Sequence, residues 1–75
     1  MSLIWSRRLS REIRELGYDI ETGRLVVTFP DGGRKYYAPV SWETYAAIAH
    51  SSNPARLVRQ RIEGIVPRIM VAEYL

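Results

Sequence analysis

The chain has 75 residues, a formal charge of +3 and no cysteine, so it forms one domain that buries only about 60% of its unfolded surface, with no disulfide framework or thiolate site. Its longest early apolar run, Leu3-Ile4-Trp5, falls far short of a signal-peptide core or a membrane span of roughly 20 residues, which implies a soluble, cytoplasmic protein. Ten of the eleven basic residues are arginine, a planar donor fork suited to carboxylates, phosphates and aromatic faces.

In chain order, Trp5, Leu9, Ile13 and Leu16 recur every three or four residues among Arg7, Arg8, Arg11 and Arg14, a helical period that stops at Gly17. From Leu16 the pattern alternates, with Leu16, Tyr18 and Ile20 separated by Gly17 and Asp19, which predicts a half-buried strand over residues 16–20. The two readings compete over residues 6–15. Leu25, Val27 and Phe29 next place three apolar groups on one face of a central strand, with Val26 and Thr28 on the other. Pro30-Asp31-Gly32-Gly33 predicts a hairpin loop, and a third strand runs over residues 34–40.

Ser41 is a helix N-cap and Glu43 suits the positive helix end, so a helix follows to about His50, with Tyr45, Ile48 and Ala49 on its inner face. Asn53 and Pro54 start a second helix over residues 54–63 that ends at Gly64. Leu57, Val58 and Ile62 face inward and leave Arg56, Arg59, Gln60 and Glu63 in solvent. The expected fold class is α+β, a small antiparallel three-stranded meander packed against two short C-terminal helices. Residues 1–10 form an N-terminal arm, residues 11–64 the domain, and residues 65–75 an apolar tail.

No catalytic constellation accompanies this framework. His50 is the single histidine, and its expected place is a helix C-terminus, with Ser51 and Ser52 in the turn beyond. One histidine without cysteine lacks a ligand cluster for zinc or iron, and Asp31-Gly32-Gly33 is not followed by spaced oxygen ligands for calcium. The glycine pair joins two strands, whereas phosphate cradles open into a helix. No metal, no cofactor and no enzymatic activity is therefore expected.

The order and spacing of Ile13, Leu16-Gly17-Tyr18-Asp19, Leu25-Val26-Val27-Thr28-Phe29, Tyr37, Val40, Tyr45, Ile48 and Ser51 resemble the KTSC domain. That short module occurs alone in small bacterial and phage proteins and at the C-terminus of some lysyl-tRNA synthetases. The resemblance spans roughly residues 9–62 and implies a strand from Ile13 to Asp19. It departs from the family pattern where a Tyr-x-Tyr pair falls on Lys35 and Tyr37, where Ser41 replaces a proline, and where Asn53 to Leu57 replaces a glycine and an aromatic-Phe-Asn stretch.

Two functional classes follow. The first is a monomeric, non-enzymatic docking protein that binds and modulates a larger machine, its sharpest candidate partner being bacterial RNA polymerase, in the host cytoplasm if the chain is phage-encoded. The second is direct RNA binding, suggested by the synthetase fusions and the basic balance. The expected partner-binding residues are Trp5, Arg7 and Arg8 at the N-terminus, Arg34, Lys35 and Tyr36 on the third strand, and Arg56 and Arg59 on the second helix. If Tyr37 packs in the core, its neighbour Tyr36 is displayed.

Overall fold

A computed structural model describes residues 3–7 and 10–69. Five strands form one antiparallel sheet in the order β1 (Leu3–Arg7), β2 (Glu15–Asp19), β3 (Arg24–Thr28), β4 (Arg34–Tyr37) and β5 (Arg68–Ile69). Two helices, α1 (Trp42–Ala49) and α2 (Pro54–Arg61), lie between β4 and β5 in the chain. The α+β class and the central three-strand meander are as expected, but the sheet has five strands rather than three. The helices are also followed by β5, which takes its place beside β4.

The additional strands come from the two ends. Residues 3–7, part of the expected arm, pair antiparallel with β2, and residues 68–69, part of the expected tail, pair with Tyr36 and Tyr37. The helical spacing of Trp5, Ile13 and Leu16 is fortuitous, because it joins residues from different faces. Ile13 and Leu16 are buried in the core, whereas Trp5 pairs with Gly17 on the opposite face. Five residues are too few for period-two alternation to outweigh a helical period spread over twelve positions. Residues 10–14 turn the chain, with the Ser10 hydroxyl accepting from the Glu12 and Ile13 amides at 3.2 and 3.1 Å.

The remaining turns have local causes. Between β2 and β3, Asp19 accepts from the Glu21 amide through its side chain (3.0 Å), and Gly23 adopts φ +74°. Between β3 and β4, Gly32 has φ +89° and the Asp31 carboxylate accepts from the Gly33 amide at 2.8 Å, an Asx-type closure of the loop. Ser41 caps α1 by accepting from the Thr44 amide at 3.1 Å, and Asn53 caps α2 through the Arg56 amide at 3.2 Å.

One face of the sheet carries Leu16, Tyr18, Leu25, Val27 and Tyr37, and Tyr45, Ile48, Ala55, Val58 and Ile62 from the helical side complete the core with it. Phe29 falls just beyond β3 and is half-buried against this cluster rather than inside it. Ile20 lies past the end of β2 and is exposed, and β4 stops at Tyr37, short of the expected Val40.

Candidate docking face of the sheet

Because α1 and α2 pack on one face, the other face of the sheet has no helix over it among the described residues. Antiparallel partners share a face, so the registers define a row across all five strands: Trp5, Gly17, Val26, Tyr36 and Ile69. A Cβ at Gly17 would stand 2.7 Å from Cζ3 of Trp5, so the indole is seated on the glycine backbone. Val26 is 4% exposed, with seated Trp5 to one side and Tyr36 to the other, while Trp5 itself remains 36% exposed.

Charges flank this apolar row on both sides. One flank places Glu15, Thr28 and Arg34 in register, and the other places Leu3, Asp19 and Arg24. The Arg34 guanidinium lies 5.8 Å from the centre of the Trp5 ring, within cation–π range. Thr28 is buried, and its Oγ1 has no hydrogen-bond partner among the described residues. Such an unpaired hydroxyl costs about 1–3 kcal/mol.

Of the eight residues singled out in the sequence, the fold brings Trp5, Arg34 and Tyr36 onto this one face. Tyr37 points into the core and Tyr36 away from it, as their adjacency implied. Lys35 belongs to the opposite side, its Nζ 5.4 Å from the Phe29 ring centre. Arg56 is exposed on α2, and Arg59 forms a 3.0 Å ion pair with Glu12 in which both side chains are more than half exposed. We expect Arg59→Ala to change stability by less than about 0.5 kcal/mol in urea denaturation, since solvent screens such a pair. Arg7 pairs through its backbone with Glu15, its side chain lies outside the described residues, and so does Arg8.

Sequence reasoning did not single out Gly17, Val26 or Thr28 for this surface. Gly17 had a visible signal, a glycine amid strand-forming residues, which marks a close approach to the backbone. His50 is exposed at the end of α1, its amide donating to the Ala46 carbonyl at 3.0 Å, and the Ser51 hydroxyl accepts from the Asn53 amide at 2.9 Å. The His50 amide and the Ser51 hydroxyl thus build the turn between the helices. Among the described residues no group of three or more His, Cys, Asp or Glu is placed to hold a metal ion, and no helix is long and apolar enough to cross a membrane.

The sequence pattern of the KTSC domain matches residues 9–65. The chain belongs to the KTSC domain family. A crystal structure of a KTSC domain protein from Yersinia pestis superposes with a TM-score of 0.82 at 19% sequence identity, covering 91% of this chain and 96% of the other. At that identity the likeness concerns the fold alone. No curated protein sequence matches the chain. The KTSC match begins after β1 and ends before β5, so Trp5 and Ile69, the two ends of the row on the sheet, lie outside it.

Proposed function

We propose that this KTSC protein is a non-enzymatic docking module that engages a protein partner through the face of its sheet opposite the helices. The observation that carries this reading is the row of Trp5, Val26, Tyr36 and Ile69 flanked by Arg34, Arg24 and Glu15. Trp, Tyr and Arg are the residue types that dominate interface energetics, and an aromatic centre with a charged margin is the usual anatomy of a protein interface. Bacterial RNA polymerase is the partner to test first, a choice that follows from the resemblance to small phage modules.

The alternative, RNA binding, draws on Tyr36 and Arg34, since aromatic side chains on a sheet can stack bases. The margin of this face argues against it. Glu15 shares a flank with Arg34, and the buried Asp19 carboxylate stands in register with Arg24, whereas a phosphate backbone calls for a cationic track.

The test is binding of the whole protein to purified RNA polymerase over a range of salt, with RNA oligonucleotides in parallel. Trp5→Ala and Tyr36→Ala are expected to weaken polymerase binding by about 2 kcal/mol each, roughly 30-fold, in variants whose circular dichroism shows the fold retained. Gly17→Ala should act through Trp5, because the new methyl group displaces the indole from its seat. Absence of polymerase binding removes that partner. RNA binding that falls steeply with salt, at about −0.7 in log–log slope per neutralised phosphate, decides for the alternative.

A further inference from the structure

At one end of the sheet the β3–β4 turn and β5 frame a pocket of about 610 Å³. Its lining includes Phe29, Pro30, Asp31, Arg34, Lys35 and Arg68. Arg34 and Lys35 are consecutive on β4 and point to opposite faces, so a pocket that both line lies at the edge of the sheet, apart from the docking row. Among the described residues three cations therefore converge on one concavity whose apolar part is Phe29 and Pro30, and Asp31 is the one carboxylate in its lining. That carboxylate is already engaged, accepting from the Gly33 amide at 2.8 Å.

We propose that this pocket binds carboxylates of an acidic, extended peptide segment. Charge complementarity selects an anion, and two features select carboxylate over phosphate. Phosphate is typically gripped by convergent backbone amides at a helix N-terminus or a nest, but here the turn amides are spent: Gly32 donates to the Phe29 carbonyl at 2.9 Å and Gly33 to Asp31. The Asp31 carboxylate repels a dianion more strongly than a single negative charge. The guanidinium forks of Arg34 and Arg68 can each hold a carboxylate bidentately, with Lys35 as a third cation in the lining and Phe29 and Pro30 as its apolar part. The ligand also competes for Arg34, which in the free protein lies 5.8 Å from the Trp5 ring centre. Occupancy of the pocket thereby draws the guanidinium from the indole.

The probe is a capped synthetic peptide, Glu-Glu-Phe-Glu-Glu, titrated calorimetrically into the full chain at low salt, with pyrophosphate and a capped Gln-Gln-Phe-Gln-Gln peptide in separate runs. We expect the acidic peptide to bind, the glutamine peptide not to, and pyrophosphate to bind more weakly. The double variant Lys35→Glu, Arg68→Glu should lose at least about tenfold in affinity, as removal of two charge contacts predicts. The neutral pair Lys35→Gln, Arg68→Gln gives the same reading if charge reversal disturbs folding. In a Trp42→Phe background the peptide should change Trp5 emission as Arg34 moves. Binding unaltered in both double variants, pyrophosphate binding as tight as the peptide, or no binding of the peptide at all would overturn the proposal. Peptide binding with unchanged Trp5 emission would remove Arg34 from the site. None of these readouts depends on polymerase, so the docking reading and this one fail separately.

Discussion

Leu25→Ala will cost about 3 kcal/mol and lower the melting temperature by more than about 12 °C. Leu25 is 0% exposed on β3, the central strand of the sheet, and belongs to the core cluster that Tyr45, Ile48 and Val58 complete from the helices. A chain of this size has a stability on the order of 4–11 kcal/mol, so one cavity of that kind removes a large fraction of it. Ile48→Ala, at the equivalent depth from α1, should behave similarly. Phe29→Ala should cost distinctly less, about 2 kcal/mol, because Phe29 lies beyond the strand end and only half inside the core. Thermal and urea denaturation of the three variants checks the order. Equal losses at Leu25 and Phe29 would mean that the core extends to the hairpin end of the sheet.

The middle of the fold was legible because several local signals agree there. Alternation at Leu25-Val26-Val27, the turn chemistry of Asp31-Gly32-Gly33 and the caps Ser41 and Asn53 all point to one arrangement, the first found in the strand register and the others in the hydrogen bonds. The ends were not legible, for a physical reason. β1 and β5 are edge strands held by pairing to an existing neighbour, so five residues in one and two in the other suffice, and segments this short carry no reliable period. Trp5 looked like a helix-face residue because a glycine at position 17 marks a close approach without telling which side chain makes it.

The candidate docking face was legible in its residues but not in its assembly. Trp5, Arg34 and Tyr36 drew attention as aromatic and arginine side chains, yet only the register β1–β2–β3–β4 shows that Trp5 and Tyr36 flank Val26 in one row with Arg34 reaching back to the indole. The same register separates Lys35 from them. Arg56 and Arg59, attractive as a basic helix face, lie on α2, which packs against the other side of the sheet, and Arg59 is drawn to Glu12.

Tyr18→Ala will be the most damaging aromatic truncation, at about 4 kcal/mol, and Tyr18→Phe a milder one with a distinctive pH signature. The Tyr18 ring stacks on Tyr45 at 4.8 Å between centres and meets Trp42 at 6.0 Å, which ties β2 to α1. Its hydroxyl donates to the Val40 carbonyl at 2.7 Å, in the segment that leads from β4 into α1. The phenylalanine variant keeps the ring and leaves that carbonyl unpaired, a loss of about 1–3 kcal/mol. Burial, and then the negative charges of Glu43 and Asp19, raise the Tyr18 pKa above 10.0. The folded state therefore holds this proton more tightly than the unfolded state. The resulting stability is fully present below pH 10, and it is lost as the pH rises from there through the folded pKa. Tyr37 adds a loss of the same sign, since burial and Glu63 raise its pKa against the opposing Arg68. Urea denaturation at about pH 8 and about pH 11 should thus show a smaller alkaline loss in Tyr18→Phe than in the wild type, with the Tyr37 share remaining. An identical alkaline loss in both proteins would mean that Tyr18 titrates alike in the folded and unfolded states, and that its hydroxyl is not held in the bond to Val40.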